Sequence, residues 1–346
     1  MIGYHARGLR PRAGPSRDGA QTYGPWQAYA HVECLCQIVN SRVISKGKEP
    51  PVDKDLMAAL EQRAVLCDGG MGTQLMASGL PRNVASESWN LDQPQLVEQI
   101  HRAYREAGCE MITTNTFGGS TASLARHGLE DKADAINEAG ARLAKQGGDG
   151  AWVLGDIGPF GGFLEPLGDS KPEEIQAMFR QQAAALQRGG ADAVIVETMA
   201  DPHESSLAVA AALELGNWPV IATFAFSKSA GGGFHTMMGA DVNAALGAVI
   251  DAGANIVGAN CGTALEVEDY RKLAEQLMPA AGNVPVIVQP NAGAPKVTGQ
   301  DTVYSATPEE MAALARDLVN MGVRVVGGCC GTTPEHLASM AAEVKQ

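Results

Sequence analysis

Three cysteines stand in settings that suit chemistry better than packing. Cys261 lies in the run GANCG at 258–262, and Cys329 and Cys330 are adjacent within GGCCG at 327–331. Thiolates are strong ligands for Zn2+, which takes tetrahedral sulfur and nitrogen sites, and three protein ligands leave a fourth position open, the layout of a catalytic centre. Side chains alternate along a regular strand, so Cys329 and Cys330 can share one ion only if the flanking glycines bend the chain. Unligated buried thiols, or a redox pair, are the competing readings, because C-C is not a standard zinc spacing. A free thiol with a pKa of about 8.5 is mostly protonated at neutral pH. Binding to zinc makes it a thiolate, and therefore a nucleophile. Asp68 and Glu197 could hold an ammonium, and the Gly69-Gly70 backbone N–H groups a carboxylate. Together these groups describe a site for a thiol-bearing amino acid. The alternatives are a turn or cap role for Asp68 and a rim ion pair for Glu197.

These residues meet only if the elements carry them to one face. Short β-branched runs at 64–67, 110–114, 152–156, 193–197, 219–224, 255–259, 285–289 and 323–327 are the candidate strands. Each is nearly continuous in apolar residues, as strands covered on both faces must be. The gaps are long enough for a crossover helix in each. Ser170-Lys171-Pro172-Glu173 and Thr307-Pro308-Glu309-Glu310 read as capped helix starts, and Thr333-Pro334 opens the last helix. Leu96, Val97, Ile100 and Tyr104 form one apolar helical stripe. Gly108, Gly190, Gly253 and Gly322 stand where helices end before alternate strands. Eight such units fit an α/β fold of the (β/α)8 TIM-barrel type, with an open doubly wound sheet as runner-up. No G-x-G-x-x-G follows the first strand and no P-loop is present. A barrel places its active site at the carboxyl ends of its strands. There this sequence offers Asp68-Gly69-Gly70, Thr114-Asn115-Thr116, Asp156, Glu197-Thr198, Asn260-Cys261, Gln289-Pro290-Asn291 and Cys329-Cys330. Cys67 and Cys109 read as small core residues.

With 26 Lys+Arg against 39 Asp+Glu, the 346-residue chain has a formal net charge of -13. That balance argues against non-specific nucleic-acid binding, whose affinity comes from cationic contacts to phosphate. No apolar run of membrane-spanning length occurs. The barrel portion therefore reads as cytoplasmic, and seven Cys in such a length do not make a disulfide scaffold. Residues 1–50 differ in kind, with Arg7, Arg10, Arg12, Arg17, Arg42, Lys46 and Lys48 against Asp18, Glu33 and Glu49. They lack an apolar secretory core; a transit peptide is the alternative to an atypical or disordered extension. The expected organisation is an extension over 1–55 and a barrel over 56–346, with no function assigned to Cys34 and Cys36.

DGGMGTQL (68–75), TTNTFGGS (113–120), GANCG (258–262), PNAG (290–293) and GGCCGTTPEH (327–336) resemble the homocysteine S-methyltransferase family. The likeness spans roughly residues 60–343, and GANC followed by GGCCGTTPEH is its most specific part. It implies a (β/α)8 barrel with zinc on Cys261, Cys329 and Cys330, and homocysteine thiolate as fourth ligand. It implies that Asp68 and Glu197 bind the amino group, that Gly69 and Thr114 lie near the substrate carboxylate, and that Asn291 occupies zinc when substrate is absent; a simple turn role is the alternative for Asn291. The expected activity is zinc-dependent methylation of homocysteine to methionine.

Departures bear on the methyl donor. In the betaine branch an aromatic cage takes the quaternary ammonium. Here Thr198 and Gly118 stand where that branch has tyrosines, and Trp89 lies in a different local string and reads as packing. The long C-terminal arm of that branch is not expected either. The motifs are closer to the homocysteine modules of cobalamin-dependent methionine synthase. With no D-x-H-x-x-G motif, methylcobalamin would arrive on a corrinoid-protein partner. His235, in a Gly-rich loop expected to be mobile, could face a donor but reads more simply as a loop residue. The rival functions are a betaine- or S-methylmethionine-dependent enzyme, a non-catalytic zinc or substrate-delivery subunit, and a thiol-redox protein.

Overall fold

A computed structural model of the chain describes residues 55–229, 231–298 and 301–345. The expected extension, with Cys34 and Cys36, therefore lies outside the described residues. Among these residues twelve strands occur: β1 Val65–Leu66, β2 Met111–Thr113, β3 Trp152–Ile157, β4 Ala193–Met199, β5 Val220–Phe224, β6 Phe226–Lys228, β7 Phe234–Thr236, β8 Ile256–Cys261, β9 Val286–Pro290, β10 Lys296–Thr298, β11 Asp301–Val303 and β12 Val325–Val326. Eight form one sheet in the order β1-β12-β9-β8-β5-β4-β3-β2, and every pairing in it is parallel. The ring closes between its ends through the parallel Cys67–Met111 bridge and a Glu110 N–H to Leu66 carbonyl bond of 2.8 Å. A helix lies in each strand-to-strand gap, so the architecture is the expected (β/α)8 barrel and not an open sheet.

Side-chain alternation sorts the barrel strands into two faces. Val153, Val194, Val220, Val257 and Val288 point outward and pack with the helices. Val65, Met111, Leu154, Ile195, Ile221, Ile256, Ile287 and Val325 point inward and fill the lumen, which the helix Leu56–Gln62 plugs with Leu56 and Leu60. One step further along the same faces the inward residues turn polar at Thr113, Asp156, Glu197, Thr223 and Gln289, and on β8, after Gly258, at Asn260. The barrel thus has an apolar floor and a polar mouth, and the mouth is at the carboxyl ends of the strands.

Most helix signals were realised. Thr307 and Glu310 form a reciprocal capping box, and Thr333 forms one in which the His336 ring takes the acid's place. Gly108, Gly190, Gly253 and Gly322 all have φ near +100° (102, 97, 101 and 100). The expected Ser170 cap is not made: Lys171 is the N-cap residue of the helix Pro172–Gly189, without a side-chain bond. Pro172 lacks an N–H, and as first helical residue it fixes the start by itself. The Gly-rich segment around Gly231–Gly233, expected as an open loop, is the tip of the β6–β7 hairpin, which places His235 opposite Ser227. A second hairpin, β10–β11, rises between β9 and the next helix.

His101 gives the barrel a marked acid sensitivity. It is fully buried in the helix Pro94–Glu106, and neither ring nitrogen has a hydrogen-bond partner. Burial lowers its pKa from 6.5 to about 3. The unfolded chain therefore binds a proton that the folded one refuses over that interval. The stability due to neutral His101 is complete above pH 6.5 and is lost as pH falls toward 3, at about 1.4 kcal/mol per unit. The buried acids at the mouth, Asp68 and Glu197, are shifted upward and act in the opposite direction, so the comparison must be internal. His101→Leu should flatten the acid limb, gaining about 2–3 kcal/mol relative to wild type at pH 4.5. Urea unfolding at pH 7.5 and 4.5 checks this; equal losses in both proteins would refute it.

Candidate functional site

The three cysteines meet at the mouth. Their sulfur atoms all lie within 4.8 Å of one another, and those of Cys329 and Cys330 are 4.0 Å apart. Three sulfurs around one tetrahedral zinc, at Zn–S of about 2.3 Å, would be separated by roughly 3.8 Å. Small side-chain movements close that difference.

The local backbone explains the convergence. β12 ends at Val326, so Cys329 and Cys330 belong to a turn, not a strand. The turn is held by Cys329 N–H to Pro290 O at 2.8 Å and by Thr332 Oγ1 to Cys329 O at 2.7 Å. Gly331 follows at φ 80°, where an added Cβ would sit 2.2 Å from Cγ of Tyr304. Gly331 thus lets the Tyr304 ring lie against this turn, beside Cys330. Cys261 terminates β8 at φ 52°, a region disfavoured for any residue with a side chain. Its carbonyl accepts the Tyr270 hydroxyl, and that same hydroxyl accepts the Asn291 N–H at 3.1 Å. Strain of this kind persists only where surrounding contacts enforce it.

The thiols share their protons unequally. Hydrogen bonds from Cys261 and Cys329 hold Cys330 down at about 3, helped by Tyr304. Cys329 is pushed well above the thiol range by donating to its two neighbours. Cys261 is lowered by Cys329 but raised by its bond to Cys330 and by burial, and ends at about 11. One thiolate between two thiols is a metal-ready arrangement: a divalent cation displaces the two remaining protons.

The other expected residues lie at strand ends on the same side of the barrel. Asp68, 2% exposed, accepts from Thr113 twice, through the backbone N–H and the hydroxyl, both at 2.8 Å. Burial raises its pKa to about 7. Glu197 is raised to about 8 by burial and then by the Cys261 and Asp68 charges. Gly69 is fixed in kind, since a Cβ there would come within 2.5 Å of Thr332 Oγ1. The neighbouring Gly70 N–H is not open to a carboxylate, because it donates to Thr332 Oγ1 at 3.0 Å. Thr114 shares the outward parity of Ile112; its hydroxyl accepts the Asp156 N–H at 2.9 Å and pairs with Thr116 at 2.6 Å. Asn291 donates through Nδ2 to Gly262 O at 3.4 Å, and its buried Oδ1 has no partner. Asp156 Oδ1 and Gln289 Oε1 are likewise buried and unpartnered. All three orphans at the mouth are acceptors, so the chemistry they await is a metal ion or a ligand rich in N–H groups.

Sequence reasoning placed Asn260 at a strand end and Thr113 in a family motif but gave neither a role. Strand parity could have found both, since Thr113 shares the face of Met111 and Asn260 that of Ile256. Trp89 packs against the core, as expected. Of the exposed large hydrophobic side chains among the described residues, Phe117, Phe163, Leu167, Met237, Val297 and Val303 lie on connections from a barrel strand to the helix that follows it, whereas Met76 and Leu91 lie within the short helices Met71–Ala77 and Trp89–Asp92 and Val84 lies between helices. The mouth is therefore rimmed by apolar groups. Among the described residues no helix is long and apolar enough to cross a membrane.

These features define a (β/α)8 barrel with a three-thiol cluster, able to hold a metal ion, on its catalytic face. The model of the homocysteine S-methyltransferase family matches residues 65–344, and the chain belongs to that family of methyltransferases. It is 33% identical over 321 residues to methionine synthase of Mycobacterium leprae, an alignment covering 87% of this chain and 26% of that protein. It is 34% identical over 312 residues to methionine synthase of Mycobacterium tuberculosis, covering 84% and 25%. The chain thus spans about a quarter of the length of these relatives. Among solved structures, the metallated form of the homocysteine methyltransferase MmuM from Escherichia coli superposes with a TM-score of 0.69 at 22% identity, covering 84% of this chain and 99% of that one. That likeness is one of fold.

Proposed function

We propose that this protein methylates homocysteine to methionine at a zinc centre built from Cys261, Cys329 and Cys330. The observation that carries this reading is the convergence of three thiols within 4.8 Å at the mouth of a barrel of this family. The donor set suits zinc: three soft ligands, plus the buried Asn291 Oδ1 as an exchangeable neighbour. Bound there, Zn2+ supplies the Lewis acidity that keeps a substrate thiol in its anionic form.

The chain's own residues do the rest. Asp68 and Glu197 receive the substrate ammonium, and its carboxylate lies beside Gly69; Thr114, whose N–H donates to Leu154 O and whose hydroxyl is engaged with Asp156 and Thr116, shapes that strand end without binding it. Asp68 is kept rigid by Thr113, so the substrate sulfur meets the cluster in one orientation. The thiolate attacks the methyl carbon in line, forming the S–C bond as the donor–carbon bond breaks. No general base is required at that step, because the thiol proton has already left.

The donor is methylcobalamin carried by a partner protein. The apolar rim supports a macromolecular donor, and Thr198 and Gly118 deny the mouth the aromatics that a quaternary ammonium needs. The test is methionine formation by the zinc-loaded protein with homocysteine, using methylcobalamin on a corrinoid protein, free methylcobalamin, betaine and S-methylmethionine in parallel. Methionine with the corrinoid protein is the expected result. Methionine only with betaine or S-methylmethionine would overturn the donor assignment. Zinc binding with no methionine from any donor would favour a delivery subunit.

A further inference from the structure

Asn260 ties the thiol cluster to the acidic side of the mouth. It is 1% exposed and sits on β8 immediately before Cys261. Its Oδ1 accepts from the Thr198 N–H at 2.9 Å and from the Thr223 hydroxyl at 2.8 Å. A backbone N–H can only donate, so these bonds fix which end of the carboxamide is oxygen. Nδ2 must then face the other way. It donates to Thr198 Oγ1 at 2.6 Å and Glu197 Oε2 at 3.3 Å, and it lies 3.9 Å from Cys329 Sγ. One small planar group therefore touches β4, β5 and the Cys329 turn at once.

The backbone at β4 is shaped around it. The β4–β5 register shifts between Val196 and Met199, and Thr198 within that irregularity has φ 59°. A bulge re-aims the side chain beside it, here Glu197. The left-handed Thr198 is held by its two bonds to Asn260, one from its N–H and one to its hydroxyl. Among the described residues, no other side chain hydrogen-bonds both the Glu197–Thr198 end of β4 and the Cys329 turn.

We infer that Asn260 is a positioning residue that locks Glu197 and Cys329 into one frame, so that the ammonium-binding and metal-binding halves of the site are set together by a single carboxamide. The inference rests on the zinc-thiolate reading above, and wild-type zinc affinity tests that reading separately.

Asn260→Asp separates positioning from scaffolding. The carboxylate keeps acceptors for the Thr198 N–H and the Thr223 hydroxyl, and the Thr198 hydroxyl can turn to donate. What it loses is the donor toward Glu197 and Cys329, replaced by an oxygen that repels both. The measurements are zinc affinity by chelator competition, the ligand-field spectrum of the Co2+-substituted protein, and KM for homocysteine. Partners behind a metal ligand are typically worth ten- to a hundredfold in affinity. We expect zinc binding to weaken about tenfold or more, the cobalt bands to shift, and KM to rise by a similar factor. Wild-type values on both axes, or a loss on one axis alone, would overturn the inference. If the aspartate variant does not fold, Asn260→Ser, too short to reach Glu197 or Cys329, carries the same expectations. A wild-type protein that binds no zinc would instead refute the metal reading itself.

Discussion

Replacing Cys330 by alanine should strip zinc from the protein and abolish methyl transfer while leaving the barrel folded. Cys330 accepts from Cys329 Sγ at 4.0 Å, and hydrogen bonds from both neighbouring cysteines hold its pKa low. Removing it leaves two ligands and removes the acceptor that organises the other two sulfurs. Changes behind a metal ligand cost ten- to a hundredfold in affinity, so loss of a ligand should exceed about a hundredfold. Turnover should fall to background, because a free thiol at neutral pH is mostly protonated and unpolarised. The fold should survive because Cys330 lies in a turn beyond β12, outside the lumen and helix-facing cores. Changes at such positions usually stay within about 0.5 kcal/mol. Metal analysis after dialysis, circular dichroism and a methionine assay check all three parts. A zinc equivalent per chain with ordinary turnover would remove the basis of the proposed function.

The sequence made the frame legible because parallel barrel strands are buried on both faces and read as short apolar runs. All eight expected runs overlap a barrel strand, with ends that differ by a residue or two, as at 323–327 against Val325–Val326. The meeting of Cys261 with Cys329 and Cys330 was legible for the same reason: strand ends of a barrel share a face. Hydrogen-bond partners were less accessible. The Gly70 N–H looked open to a carboxylate until Thr332, far along the chain, took it. The hairpins β6–β7 and β10–β11 escaped notice because strands of three residues with glycine between them carry no usable period. The importance of Asn260 was hidden because its five contacts come from three separate places in the chain: Glu197-Thr198, Thr223 and Cys329.

Gly258→Ala should be the most damaging single-methyl change in the barrel. Gly258 faces the lumen within GANC, paired on β8 with Ile287 of β9. An added Cβ would lie 1.8 Å from the Ile287 carbonyl oxygen and 2.8 Å from its carbon. Those are backbone atoms, fixed by pairing that runs from Val257–Val286 to Cys261–Pro290, so no rotamer change relieves the overlap. Overpacking a core typically costs about 1–3 kcal/mol and more where the backbone itself must move. The expected loss is about 3 kcal/mol or more by urea unfolding. Because the strands must separate to admit the methyl group, Asn260 and Cys261 move with β8, and zinc affinity should fall together with stability. Gly247→Ala is the matched control: it lies inside the helix Val242–Asp251 with nothing within 4 Å of an added Cβ. That change should stabilise by about 0.5–1 kcal/mol, since alanine is the better helix residue. Equal stabilities for the two variants would mean that β8 and β9 are not held at the distance on which the placement of Cys261 depends.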